Sequence, residues 1–330
     1  MLRHDNDHTD NLMSKPPRKR FTEVALNIYS AEPVVTTPAY LASVAHEPTE
    51  VRQQLKNCNI YVICTRVRIA FDPATLRINE ERKLTGSLVL AGPEGTKTSP
   101  FVGRAPLPDE FLSVSTSYPF TKVDAHGEGD ARWGLPNFLL LPDLNFDIDG
   151  QQNLEVVYVG QAFGTAGERT AVERLSSHST LQKILADTAA NEPHKEVLLL
   201  LYSFDFHRFY FTMDGRNKAQ VDGDDDRRHW RQAMAADFKR GMRISLAEAA
   251  LIRHFEPRYN KIFKTGFPHQ RLKILEKMYS LDFAALIVEA SVEDVGVRLY
   301  SAKQASNFHH VARFDLHDPK VRKSFFFSAV

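Results

Sequence analysis

The sequence predicts an α+β protein: a mixed sheet flanked by helices, preceded by a β-rich region and followed by a strand-containing extension. Three observations carry this. Strand-like alternation dominates the first 134 or so residues, strands and helices then come in the order β-β-α-α-β-β-α-α, and strand-like runs return after Asp282. A length of 330 residues is long for one small domain and suggests separate parts. Four are expected: a disordered basic tail at 1–20, a β-rich accessory or recognition domain at 21–134, a domain of mixed strands and helices at 135–265 and an extension at 266–330.

The early strands are β-branched and aromatic. Asn59-Ile60-Tyr61-Val62-Ile63 and Val67-Arg68-Ile69-Ala70-Phe71 are two of them, and Leu84–Leu90 is a third, ending at the turn residues Gly92-Pro93-Glu94-Gly95. Glu47–Leu55 reads as a short helix. In the second part, Asn137–Leu141, Leu144–Ile148 and Leu154–Val159 read as strands, with a turn at Asp149-Gly150. A helix is expected from about Glu168. Another is expected from Ser179, where Ser179 and Gln182 have capping-box spacing. Val197–Phe204 reads as a buried strand, with Phe206–Met213 its expected partner. After the acidic stretch Asp222, Asp224, Asp225 and Asp226 come two helices, Arg227–Arg240 and Ser245–Phe255. Ser245 and Glu248 again have capping-box spacing, and Pro257 ends the second helix. Ala284–Glu289, Val295–Ser301 and Val311–Phe314 are the late strands.

Composition narrows the function. There is no apolar run near twenty residues, so no membrane span is expected. The first residues lack the apolar stretch of a secretory signal. Cys58 and Cys64 are too few for a disulfide framework and read as core residues, which together suggest a cytoplasmic protein. The net charge of +1 rules out a uniformly basic polyanion binder, so charge distribution matters more. Lys15, Arg18, Lys19 and Arg20 form one basic run. Arg253, Arg258, Lys261, Lys264, Arg271, Lys273 and Lys277 form a second, which reads either as a solvated face or as a phosphate-contacting track. Phe325-Phe326-Phe327 reads as a packed or interfacial C-terminal segment.

One ordered set of residues points to chemistry. Tyr158-Val159-Gly160 ends a strand, Arg174 and His178 stand four apart on a predicted helix, Glu248 sits in an apolar helix, and Asn260 follows it by twelve. Singly, each has an ordinary reading: a strand aromatic, a surface cation, a helix-end imidazole, a capping partner for Ser245. Together they suit phosphate chemistry. Arginine grips phosphate oxygens, histidine moves protons near neutral pH, and one carboxylate suffices for a Mg²⁺ that keeps several waters.

This set resembles the GIY-YIG endonuclease superfamily, which includes homing endonucleases, the incision subunit of bacterial nucleotide-excision repair and some type II restriction enzymes. The resemblance covers residues 137–262. Tyr158-Val159-Gly160 matches the second half of the signature, with Gln161 after it. Arg174 and His178 match R-x-x-x-H, Glu248 matches the metal-binding glutamate, and Pro257 with Asn260 matches P-x-x-N. The resemblance implies a metal-dependent endonuclease acting on nucleic acid, with DNA the expected substrate and restriction or antiviral defence the expected setting. A homodimer is compatible with it. Glu248 would bind one Mg²⁺ or Mn²⁺, Tyr158 would orient or activate water, His178 would assist as a base, Arg174 would hold the phosphate and Asn260 would brace the site. Arg169 competes with Arg174 for the phosphate, and Arg253, Arg258, Lys261 and Lys264 would contact nucleic acid. The first signature tyrosine is not at its usual separation: Phe146 stands there, Phe138 is the other candidate, and neither has a hydroxyl. Tyr202 or His207 could substitute. The alternative implied is a catalytically impaired nucleic-acid-binding or regulatory protein.

Overall fold

A computed structural model of the chain describes residues 18–46, 49–128, 132–146, 153–162, 171–213, 220–221, 223–318 and 320–326. The expected turn at Asp149-Gly150, the start of the helix expected from Glu168, Arg169 and Phe327 lie outside these residues.

Strands β1 (Thr22–Tyr29) and β2 (Val34–Thr36) come first. Helix α1 (Thr49–Asn57) then leads into β3 (Ile60–Val67). A run of short and long strands follows: β4 (Ile69–Phe71), β5 (Arg77–Ile78), β6 (Lys83–Gly92), β7 (Gly95–Pro106), β8 (Phe111–Ser115), β9 (Lys122–Gly127) and β10 (Arg132–Pro136). After α2 (Asn137–Leu140) and β11 (Leu144–Phe146) the chain enters β12 (Asn153–Gln161), α3 (Ala171–Ser176), α4 (Ser179–Asn191), β13 (Lys195–Tyr202) and β14 (Phe206–Met213). Helices α5 (Gly223–Met234), α6 (Arg240–Phe255) and α7 (Glu276–Ser280) precede β15 (Ala285–Ser291), β16 (Arg298–Tyr300) and β17 (His309–Asp315).

The α+β expectation holds at this level: the strands form four sheets and the helices pack against them. The five-stranded sheet runs β16-β12-β3-β13-β2 and has β3 at its centre, antiparallel to both β12 and β13. A second sheet, β14-β1-β15-β17, packs with α6 against one face of it. Strands β4–β11 form two further sheets around a core of their own.

This arrangement moves the expected boundaries. A cut at 134 would separate β3 from the strands it pairs with, because β3 and β12 form a hairpin whose connection is the whole β4–β11 module. A cut at 265 would remove β16 from the same sheet. Other expectations also change. Asn137–Leu141 is helical at its start, and the Asn137 side chain is buried, donating to the Ile69 carbonyl. Phe206–Met213 pairs with β1 in the second sheet and not with β13. The acidic stretch is largely the first turn of α5, where carboxylates complement the helix dipole.

Both capping boxes are replaced. His178 caps α4, its Nδ1 accepting from the Leu181 N–H at 3.2 Å, which leaves Ser179 inside the helix. Helix α6 starts at Arg240, whose guanidinium pairs with Asp205 and also donates to the Asn57 carbonyl. Ser245 therefore lies in the second turn and caps nothing. The helix does end where Pro257 requires, with Glu256 in the left-handed conformation at φ 48°. Cys58 and Cys64 are buried and free, as expected. Phe325 and Phe326 pack over Ala25, Ala285 and Ile287. Among the described residues no helix is long and apolar enough to cross a membrane.

Candidate active site

Strands have two faces, and the site is built on one face of the five-stranded sheet. Ile60, Val62 and Cys64 point to the core beneath α6, while Tyr61 and Ile63 point to the opposite side, under α3 and α4. On β12 simple alternation would send Val156 to the α6 side, Val157 away from it and Tyr158 back again. A β-bulge intervenes: Val156 pairs with Cys64 but Tyr158 already pairs with Ile63, leaving Val157 as the extra residue. The bulge turns Val157 and Tyr158 to the same face as Tyr61. The two tyrosine rings then stack, with centroids 6.1 Å apart and planes 24° from parallel.

Gly160 makes room for this. A methyl group there would sit 2.6 Å from the end of the Tyr61 ring and 2.8 Å from the Tyr158 ring. Tyr61 is buried and cannot swing clear, so the glycine of the Tyr-Val-Gly triplet is required by close packing of the two tyrosines.

His178 completes the cluster. It contacts both rings, at 5.5 Å from Tyr61 and 5.4 Å from Tyr158, and its Nε2 lies 3.0 Å from the Tyr61 hydroxyl. Because Nδ1 accepts from the helix backbone, the neutral ring carries its proton on Nε2 and donates it to Tyr61. Burial, helped by the Arg174 charge, pulls its pKa down and holds it neutral. Tyr61, stacked on Tyr158, favours the ionised form of that phenol. The result is a directional chain from the Leu181 N–H to His178 and from His178 to Tyr61, with Tyr158 stacked beside it. Burial pushes the pKa of both tyrosines up, with the neighbouring phenol adding to the effect at Tyr61 and Glu248 adding to it at Tyr158. The Arg174 charge opposes the rise in both. Arg174 is in the last turn of α3 and His178 follows that helix, so they do not share one helix face as their spacing predicts.

Glu248 and Asn260 meet the site along one edge of β12. Strand β16 pairs only with residues 153–155, so the rest of that edge needs other partners. The Val157 carbonyl accepts from the Tyr259 N–H at 3.1 Å. The Asn260 side chain takes Val159 on both sides, accepting from its N–H at 2.9 Å and donating to its carbonyl at 2.8 Å. The Gln161 backbone N–H favours the ionised form of Glu248. The Ser245 hydroxyl, freed from capping, donates to the Gln161 side chain at 3.3 Å. Ala247, Ala249 and Ala250 bring α6 close enough for these contacts.

Burial dominates the Glu248 carboxyl and pushes its pKa up to about 7, against the Gln161 N–H and Arg174, which favour its ionised form. It is a half-buried carboxylate, and among the described residues it forms no ion pair. Among the described residues no three His, Cys, Asp or Glu side chains cluster to hold a metal. A single carboxylate beside open water nevertheless fits a hard divalent cation such as Mg²⁺ or Mn²⁺, which takes one or two carboxylates and completes its shell with water.

Tyr158, Arg174, His178, Glu248 and Asn260 thus come together, and the sequence reading missed the residue at their centre, Tyr61. Asn59-Ile60-Tyr61 was visible as a strand, but the inserted module removes it from the neighbourhood of Tyr158 in sequence. The substitutes considered lie elsewhere. Phe146 is on β11, paired to β7, and Phe138 is buried in the core beneath α6. Tyr202 is on the far face of the sheet, and His207 packs on Phe209 and Phe238.

The basic track is partly committed to structure. Arg253 pairs with Glu256 at 2.6 Å and donates to the Lys264 carbonyl, while Arg258 pairs with Glu192 at 2.6 Å and lies over the Tyr259 ring. Lys261 is exposed and Lys264 is half-buried. No family model matches the chain, and neither a search of curated proteins nor one of solved structures returns a match.

Proposed function

We propose that the chain is a metal-dependent endonuclease of GIY-YIG type that hydrolyses phosphodiester bonds in nucleic acid, with DNA as its substrate, and that Glu248 holds one Mg²⁺ or Mn²⁺ ion. The observation that carries this reading is Tyr61. It supplies a strand tyrosine hydroxyl beside Tyr158, His178, Arg174 and Glu248. It favours this reading over the alternative, a catalytically impaired binding protein, which leaned on the lack of that hydroxyl.

The hydrogen-bond chain suggests a division of roles. His178 uses both nitrogens and donates toward Tyr61, so it positions and polarises; it is not the base. Tyr158 is the more exposed of the two phenols, and Tyr61 and Arg174 both favour its ionised form, so negative charge is best supported on Tyr158. Once its own proton has passed to solvent, the Tyr158 phenolate takes the proton from the attacking water, and the exposed Arg174 binds a non-bridging phosphate oxygen. When bound at Glu248, the ion supplies Lewis-acid stabilisation of the phosphoryl and leaving oxygens. Asn260 keeps the β12 edge in place. A setting in restriction or antiviral defence is part of the same proposal.

The test is cleavage of supercoiled plasmid, single-stranded DNA and RNA with Mg²⁺ or Mn²⁺. Plasmid cleavage that requires the metal and vanishes in both Tyr61→Phe and Glu248→Gln supports the reading. Cleavage that persists in Glu248→Gln, or that is absent with every substrate and metal, overturns it.

A further inference from the structure

Exposed aromatic and apolar side chains gather around one strand, β14. Phe206, Tyr210, Phe211 and Met213 on the strand are exposed, and Trp230 and Met234 of α5 lie on the same side of the molecule, with Phe211 and Trp230 in ring contact at 6.3 Å. Among the described residues, strand β14 is at the edge of its sheet and pairs only with β1. Protein edges are normally blunted by lysine, proline, a bulge or a short strand. This one is eight residues long with continuous register and has no lysine or proline. Its one strong charge, Arg208, is drawn back over the sheet to Glu289 at 3.1 Å and Asn27 at 2.8 Å, between the rings of Tyr29 and Tyr210. The far end is closed, because Arg18 donates to the carbonyl and hydroxyl of Thr212.

We propose that β14 is the dimer edge of this protein, pairing antiparallel with β14 of a second copy about a two-fold axis at Phe209. An open strand edge takes another strand, since its N–H and C=O groups are satisfied only by an extended backbone. A two-fold axis makes one such edge complementary to itself. The register follows from charge. Directly opposed residues on antiparallel strands share a face. Centring the pair on Arg208 would set the two guanidinium groups against each other. Centring it on Phe209 sets each Arg208 against the Tyr210 ring of the other copy, repeating the cation–π contact already made within the chain. In that register His207 opposes Phe211 of the other copy, and the two four-stranded sheets become one continuous sheet of eight. The proposal does not depend on the endonuclease reading.

Analytical ultracentrifugation of the full chain at high micromolar concentration tests it. The wild type sediments as a dimer, and Phe206→Lys/Tyr210→Lys halves the mass while leaving the circular dichroism spectrum unchanged. A second variant guards against misfolding: His207→Cys/Phe211→Cys forms an intermolecular disulfide on mild oxidation, and Cys58 and Cys64, being buried, do not. A monomeric wild type overturns the proposal. So does a dimer that survives the lysine substitutions or that fails to cross-link through the cysteine pair.

Discussion

The two faces of the five-stranded sheet carry one buried tyrosine each, and the pair is instructive. Tyr202 lies on the face beneath α6, fully buried among Leu198, Leu200 and Val62, and its hydroxyl has no hydrogen-bond partner. Tyr61 lies on the other face, equally inaccessible, but its hydroxyl accepts from His178 and its ring stacks on Tyr158. Residue type and burial are the same; the surroundings differ. One face is an apolar slab that fixes the positions of the strands. The other is a polar chain resting on that slab, ending at a half-buried carboxylate.

The widest expected separation is in activity. Tyr61→Phe should lower the cleavage rate by about 100-fold or more, the usual worth of a positioned proton-transfer group, whereas Tyr202→Phe should leave it unchanged. On stability the order reverses: Tyr202→Phe removes an unsatisfied buried hydroxyl and should be neutral or stabilising by about 1 kcal/mol in urea unfolding. Equal cleavage rates in the two variants would remove the distinction between the faces.

Glu248 sharpens the comparison through pH. Its pKa in the folded, metal-free protein is raised from 4.5 to about 7. A raised acid contributes stability below its unfolded pKa and loses it as the pH climbs through the folded value. Between pH 4.5 and 8 the wild type should therefore lose up to about 3 kcal/mol relative to Glu248→Gln. Added Mg²⁺ should restore wild-type stability at pH 8 and do nothing for the variant. Parallel stability curves for the two proteins would show that Glu248 is not held in this environment.

Smaller effects test the frame around the chain. Asn260→Ala strands the Val159 N–H and carbonyl and should destabilise by about 2 kcal/mol, read as a shift in the denaturation midpoint. Gly160→Ala drives a methyl into Tyr61 and should cost about 1–3 kcal/mol, with cleavage falling more than stability explains. His178→Asn should change stability least, since asparagine caps helices well, yet it withdraws the donor from Tyr61 and should still reduce cleavage. A fall in cleavage no larger than in a stability-matched core variant would return His178 to a purely capping role.

Much of this was legible in the sequence. The strand ending in Tyr158-Val159-Gly160, the helix carrying Glu248 and its end before Pro257 follow from local pattern, and local pattern decides them. What local pattern misjudged was decided at longer range. Ser245 with Glu248 looks like a capping box, but the Arg240 pairing with Asp205 starts the helix earlier and frees both residues for β12. Phe206–Met213 follows β13 directly, yet β1 offers it a full eight-residue register. Arg253 and Arg258 read from local pattern as a basic run, and only the fold places Glu256 and Glu192 beside them. Tyr61 was hidden for a related reason: its partner is adjacent across the sheet and remote along the chain. The bulge at Val157 has no sequence signature of its own, and without it Tyr158 would face the wrong core.

The β3–β12 hairpin has a consequence for how such a chain can change. Strands β3 and β12 run antiparallel side by side, so the inserted module enters and leaves the sheet at neighbouring points. Loop-closure entropy grows only with the logarithm of loop length, so stretching a hairpin connection from about ten residues to about ninety raises its cost by only about 2 kcal/mol. A module with its own core repays that by itself. The connection is therefore a socket: modules of different recognition surface can be exchanged there while the two tyrosines keep their places.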